Sequence, residues 1–451
     1  MQTQRDHVHA HSFMTGRLSS ALVEGDPTSA QIPGQRALTG LLIGIIVVLL
    51  AGGGFAVYGW LVPGGSRAYR QAGAILVEKE SGDRYVYRDG VLHPTSNLTS
   101  AMLLQGPSAA VRLISRNSLK DLPRGPEIGI ADAPQSVPAA AALVRGPWLV
   151  CLPGSVVDRP GAGLGVNLDP RASATPPAGN TFTVVRDPGG VTFLLAGPVK
   201  FPVVDASVLV ALGAANARVA IAPAAWLDRL PTGVTLGPAR IPGAGSPGPR
   251  VAGRVHPVGT LFRQQPVAGP EQLFVLRPDG LAPLNRMEFV LATVRGGDAP
   301  VTLDAADVAG APLSGDRTLT DRLPDLTGHR WQDPGSRVLC LRQRPVDGER
   351  VASEVVLADR RVSGVGDDGA TRVLAEPGTG MTVTPVPRVG PAAEVVLISE
   401  QGVAYRLADP DTVSSLKLAS APAVPFPRDL LAVVPQGPVL SRTAVNGPAR
   451  G

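Results

Sequence analysis

Lysine, histidine, cysteine and aromatic residues are all scarce in this chain of 451 residues. Aromatics make up 4%, which excludes a stacking platform for single-stranded nucleic acid. The 42 basic residues are interleaved with 37 acidic ones, no long run of one sign occurs, and the net charge is +5. A stripe that could track phosphates is therefore absent, and no nucleic-acid partner is expected. Only Lys79, Lys120, Lys200 and Lys417 are lysine, and none follows a glycine, so the phosphate-cradling G-x-x-x-x-G-K-[ST] loop is missing. H-E-x-x-H and G-x-S-x-G are missing too. The glycine clusters Gly52–Gly54 and Gly161-Ala162-Gly163 lack the strand-to-helix context of a dinucleotide loop. His7, His9 and His11 alternate in a head segment and read as a solvated helix face; His93, His256 and His329 are isolated. Asp367-Asp368 reads as a hairpin tip, and Asn97-Leu98-Thr99 matches a glycosylation sequon. No catalytic, cofactor-binding or metal-ligating residue is expected.

What is abundant is punctuation and one apolar run. Gly 53 and Pro 45 argue for many short strands joined by turns, and 44% hydrophobic content is enough for a sizeable core. Ala37 to Val62 carries no charge. As a helix it would be about 39 Å long, against a hydrocarbon layer of roughly 30 Å. Tyr58 and Trp60 stand at one end, as interfacial rings do, and Arg36 and Arg67 bracket the run. The run is too long and too far from the start for a secretory signal peptide. The lipid bilayer is thus an expected partner. Arg17 and Arg36 on one side balance Arg67 and Arg70 on the other, so charge alone leaves orientation open. The only cysteines, Cys151 and Cys340, lie in apolar strand-like runs. On an exported domain such a pair forms a disulfide; in a cytosolic domain it would be two buried thiols.

Past the apolar run the pattern recurs. Each copy reads as a β-hairpin, a short helix and a proline-stopped turn. The marks are Gly90, Pro94 and Pro123; Pro198, Pro202 and Pro231; Gly280, Pro283 and Pro324; Gly402 and Pro435. Pro94–Pro123, Pro202–Pro231 and Arg406–Pro435 have one spacing, and the third copy is longer, which predicts an insertion near 296–312. The expected segments are a cytoplasmic head with an amphipathic helix (1–36), a transmembrane helix (37–62) and a connector (63–84). Then come repeat 1 (85–126), a core segment with Cys151 (127–192) and repeat 2 (193–236). A Gly/Pro linker and core segment (237–273) precedes repeat 3 (274–326), a core segment with Cys340 (327–394), repeat 4 (395–438) and a tail (439–451). The fold class is a single-pass membrane protein with a strand-rich α+β domain: four hairpin-plus-helix repeats about a central β core, the halves related by a pseudo-two-fold axis. A Cys151–Cys340 bond would staple the halves at that axis.

Several phrases carry a family resemblance: RDHVHAHSFMTGRLSSALVEGDP in the head, GFAVYGWLVPGG at the anchor exit, and AILVEKESGDRYVYRDGVLHPTSNLTSAMLL beyond it. LPRGPEIGIADAPQSVP and the tail VPFPRDLLAVVPQGPVLSRTA add to them. Together they resemble EccB, the membrane subunit of the actinobacterial type VII (ESX) secretion system. The resemblance implies a cytosolic N-terminus, one transmembrane helix and a periplasmic domain of four repeats around a disulfide-tied core. It implies as partners the EccC motor, EccD, EccE and a mycosin protease, with self-association of the periplasmic domains. ATPase activity has been attributed to the family; without a phosphate loop it is the alternative to a structural role.

Overall fold

The structure is a computed structural model, and it describes residues 4–25, 35–61, 67–153, 163–296, 298–364 and 370–445. Val62, Gly161, Ala162, Asp367 and Asp368 lie outside these residues. Two helices lead. α1 (Gln4–Glu24) ends at Gly25, whose φ of 71° stops a helix without a Cβ clash. Its Val8, Phe13, Met14, Leu18 and Leu22 are exposed. α2 (Gln35–Leu61) contains the apolar run.

The strands follow in chain order. β1 (Ala74–Glu78), β2 (Arg84–Arg88), β3 (Val91–Pro94) and β4 (Ala110–Ile114) form sheet I. β5 (Trp148–Cys151), β6 (Gly165–Asn167) and β7 (Ala174–Thr175) join a central sheet. β8 (Thr181–Arg186), β9 (Thr192–Ala196), β10 (Val199–Val203) and β11 (Ala220–Ile221) build sheet II. A ribbon of β12 (Pro247–Val251) and β13 (Arg254–Pro257) precedes sheet III, made of β14 (Leu261–Gln264), β15 (Gln272–Arg277), β16 (Gly280–Pro283) and β17 (Val301–Leu303). β18 (Arg330–Trp331) extends sheet II; β19 (Arg337–Pro345), β20 (Val351–Asp359) and β21 (Arg372–Leu374) complete the central sheet. Sheet IV holds β22 (Met381–Val386), β23 (Val395–Ile398), β24 (Ala404–Leu407) and β25 (Val424–Pro427).

Sheets I to IV share one strand order: third, second, first, fourth, with the fourth parallel to the first. A parallel closing strand needs a crossover, and a helix supplies it each time. An Asn or Asp starts that helix: Asn97, Asp205, Asn285 and Asp409 accept from the amides of Ser100 (2.7 Å), Ser207 (2.8 Å), Glu288 (2.9 Å) and Thr412 (2.7 Å). Asn97 is buried and its amide also donates to Ile130 O at 3.0 Å, so the sequon is consumed by the fold.

The structure corrects several sequence expectations. Each sheet opens with a strand placed in a connector or core segment: β1 in 63–84, β8 in 127–192, β14 in 237–273, β22 in 327–394. The loops after these strands differ in length, so they carried no fixed spacing. Part of the linker is the β12–β13 ribbon. Residues 439–445 of the tail dock: Leu440 and Val445 are buried with Leu103 and Leu416, and Arg442 Nε donates to Leu103 O at 3.2 Å.

The crossover helices pack in two pairs. Val208 of sheet II meets Met287 and Leu291 of sheet III, while Leu103 of sheet I meets Leu416 of sheet IV. The central sheet is ordered β21-β6-β5-β19-β20-β7, and its Trp148, Val150, Leu339 and Leu341 are buried in one core with residues of sheets II and IV.

Candidate functional site

Two features could carry function: the exposed apolar helix and the seam of the central sheet. Within α2, Ala37–Gly59 has mean hydropathy 2.5 and none of it is buried against the rest of the chain. It is the one such helix among the described residues. Its length suits a bilayer core. Tyr58 is 67% exposed near its end. Arg36 and Trp60 belong to α2, but their side chains lie outside the described residues. Arg67 opens an exposed turn, Arg67–Arg70, after the helix. There Tyr69 packs edge-on to Tyr87, 5.1 Å between rings, and so ties the connector to sheet I.

At the seam, β5 and β19 run antiparallel with Cys151 opposite Cys340. The flanking Leu152 amide bonds Leu339 O at 2.9 Å, which makes the cysteine pair a non-hydrogen-bonded pair, the kind whose side chains approach closest. The sulfurs are bonded, the Cα atoms are 3.9 Å apart, and both residues are fully buried. Strand alternation puts the disulfide with Leu149, Val338 and Val356 on one face. The other face carries Trp148, Val150, Leu339 and Leu341 in the main core. Two tryptophans are fully buried there with their N–H groups satisfied, Trp148 by Gln343 Oε1 (3.0 Å) and Trp226 by Val150 O (2.9 Å). Arg229 pairs with Asp429 at 2.8 Å and joins the segments that follow sheets II and IV.

Asp89 (φ 51°) and Gly90 (φ 85°) make the two-residue β2–β3 turn, where both central positions need positive φ. Pro198 and Gly402 lie in the matching turns of sheets II and IV, and Gly280 begins β16. Pro94 and Pro283 end third strands and Pro202 is the last residue but one of another, opposite Tyr85, Phe274 and Phe193; those strands are sheet edges, where proline costs no ladder bond. The carbonyls of Pro123, Pro231 and Pro435 accept from the amides of Leu92 (2.8 Å), Lys200 (3.0 Å) and Ala404 (2.8 Å). In sheet III the acceptor is Pro312, bonded by Leu281 at 2.8 Å, and not Pro324. Pro324 instead follows Leu323, whose carbonyl takes the Asn285 amide at 2.7 Å. With Pro312 in register no insertion is needed; residues 301–310 are the ordinary fourth strand and a helix.

Sequence reasoning missed the residue two places after each of these prolines. A Cβ on Gly125, Gly233 or Gly437 would lie 2.5 Å from a ring atom of His93, Phe201 or Tyr405. In sheet III the corresponding residues are Ser314 and the small Ala282. The signal was a covariation between a glycine and a ring about 32 residues earlier, visible only once the register was known. Among the described residues no cluster of His, Cys, Asp or Glu could hold a metal. His93 Nδ1 lies 3.0 Å from Pro126 O and His256 packs edge-on to Phe262; both are structural.

Comparisons with known proteins point one way. The family profile of the type VII secretion system ESX-1 transport TM domain B matches residues 1–447. The ESX-2 secretion system ATPase EccB2 of Mycobacterium tuberculosis H37Rv is 27% identical, covering 98% of this chain and 94% of its own. The ESX-1 secretion system ATPase EccB1 of Mycolicibacterium smegmatis MKD8 is 26% identical over 98% of this chain and 94% of that one. The EccB3 dimer from the ESX-3 core complex is similar in structure, with TM-score 0.56, 26% identity and coverage of 82% of this chain and 99% of that one. A chain of an intact ESX-5 inner membrane complex shares the fold, with TM-score 0.59 and 22% identity over 100% and 96% of the two chains. The chain belongs to the EccB family, the transmembrane B component of the ESX type VII secretion system.

Proposed function

We propose that this subunit is a structural anchor of the secretion machine, with α1 on the cytosolic side, α2 in the bilayer and the domain from residue 67 onward on the far, periplasmic side. The observation that carries this orientation is the buried Cys151–Cys340 disulfide, because such bonds persist in oxidising compartments. The apolar residues exposed along α1 offer a docking face to cytosolic partners. By family likeness these are the EccC motor, EccD and EccE, with a mycosin protease nearby and periplasmic self-association. A reporter active only outside the cytosol should work when fused after Gly451 and fail when fused to Met1; the opposite pattern overturns the orientation.

The domain is read as four copies of one unit in two similar halves. The proline acceptors support the copies: Leu92–Pro123, Lys200–Pro231, Leu281–Pro312 and Ala404–Pro435 share one spacing. Exchanges in the central sheet support the halves. β5 and β19 meet at the centre, β6 and β20 flank them, and the short β7 and β21 sit at opposite edges, each beside the other half's strand. The Val144 amide bonds Gly380 O at the start of sheet IV, and the Arg330 amide bonds Asn180 O at the start of sheet II. The exchange has one irregularity: β21 runs parallel to β6, while β7 runs antiparallel to β20.

ATP hydrolysis, which the relatives' names attribute to them, is the alternative. The sequence has no Gly-Lys dipeptide, and Gly52–Gly54 are helical within α2 rather than a loop. Full-length protein free of contaminating ATPases should show no turnover above a heat-treated control. Turnover abolished by a single substitution in this chain would establish the enzyme reading.

A further inference from the structure

Beside the seam, where the β9–β10 turn of sheet II approaches β20 of the central sheet, lies a cavity of 220 Å³. Its apolar walls are Leu195, Val355 and Pro198, with Ala178 exposed among its lining residues. Polar groups line it at few points. Thr181 Oγ1 is engaged, donating to Ala178 O at 2.7 Å and lying 2.9 Å from Gln332 Oε1. Ser353 Oγ accepts from Gln343 Nε2 at 3.0 Å. Thr183 differs: it is 3% exposed and its hydroxyl has no hydrogen-bond partner. Thr183 pairs with Leu195 across β8 and β9, so both side chains stand on the face that carries the cavity. Buried hydroxyls are nearly always paired, and an unpaired one is among the costlier features a core can keep.

We propose that this cavity is a binding site for a small amphiphile, one apolar body of ring size carrying one hydrogen-bonding group that pairs with Thr183 Oγ1. The size fits: an engineered apolar cavity of roughly 150 Å³ accepts benzene, and this one leaves space for one ring and a substituent. The chemistry fits as well, since specificity in such pockets rests on a few convergent polar atoms in an apolar wall. Glu354 also lines the site; it is 54% exposed and paired to Arg342 at 3.5 Å, so it adds charge near the opening without entering the apolar part.

The test uses the full chain in lipid nanodiscs with 4-fluorophenol and 4-fluorotoluene, observed by fluorine NMR against empty nanodiscs. The two probes match in size and differ in the hydroxyl. Both should bind saturably, the phenol about five-fold more tightly, the ratio expected for one net hydrogen bond. Thr183→Val should reduce the phenol to the fluorotoluene level and leave fluorotoluene unchanged. Ala178→Trp, at an exposed lining position, should block both. Signal no greater than in empty nanodiscs, a phenol preference that survives Thr183→Val, or binding that persists in Ala178→Trp would each overturn the site.

Discussion

Gly437→Ala tests the close approach of glycine to ring that sheets I, II and IV share. Gly437 follows Pro435 and Gln436, and its amide donates to Ala404 O at 2.9 Å. A methyl there would sit 2.5 Å from Cδ1 and 3.0 Å from Cζ of Tyr405. The ring has no easy retreat: Tyr405 is 5% exposed, and its hydroxyl donates to Asp132 O at 3.3 Å. Overpacking of this kind costs about 1–3 kcal/mol. Taking about 2 kcal/mol as local opening, the amides of Ala404 and Gly437 should exchange hydrogen about 30-fold faster than in the parent. Removing the ring as well should relieve the overlap, because sheet III places Ser314 beside Ala282 without difficulty. Tyr405→Ala alone leaves a cavity and costs about 3–5 kcal/mol. The double variant should then be no less stable than Tyr405→Ala, a coupling of about 2 kcal/mol in a double-mutant cycle. Unchanged exchange in Gly437→Ala, or costs that simply add, would refute the argument.

Cys340→Ser should lower the melting temperature. The closed loop spans 189 residues, for which the chain-entropy model gives about 5 kcal/mol, an upper figure; non-reducing peptide mapping should find one Cys151–Cys340 cross-link. Arg322→Ala should be the costliest surface truncation, about 3–5 kcal/mol by denaturant titration. It strips a two-point partner (2.5 and 2.7 Å) from Glu288, which is 2% exposed, and Glu288→Gln on top should recover part of the loss. Asp409 is held below the usual carboxylate range, first by the Thr412 backbone amide and then by its hydroxyl. A depressed folded value means this contribution is complete above the unfolded value of about 4 and fades as pH falls through the folded one. A melting series should therefore show acid loss that Asp409→Asn reduces, while Asp409→Ala costs about 1 kcal/mol at neutral pH.

Much of the fold was legible because local signals coincide with it. An uncharged run of bilayer length, an Asp-Gly turn between alternating strands and prolines at equal spacing each mark geometry that sequence alone determines. The first strands were not legible, since AILVE and LFRQ look like any apolar fragment until a parallel partner, more than twenty residues on, pairs with them. Pro324 was chosen over Pro312 for a related reason. Both are prolines in apolar surroundings, and only the Leu281 amide distinguishes them. The docking of the tail was not legible, because Leu440 and Val445 find their partners on a helix formed more than 330 residues earlier. Thr183 and its cavity left no trace in the sequence: a threonine inside a strand is ordinary, and its missing partner exists only in three dimensions.

The arrangement of the sheets bears on what the disulfide does. Sheets I and II come from the first half of the domain and III and IV from the second, yet the helix interfaces pair II with III and I with IV. Each end of the domain therefore draws one sheet from each half. Separating β5 from β19 would require both helix interfaces to part as well, together with the Arg229–Asp429 contact. The halves are interlocked by packing before any covalent bond is counted. The disulfide then acts chiefly on the unfolded chain, by removing the freedom of a long loop, while the native seam is already held by the buried strands on either side of it. A domain built this way resists pulling apart at its middle, which is the mechanical property an anchor needs if its far end is bound into a larger assembly.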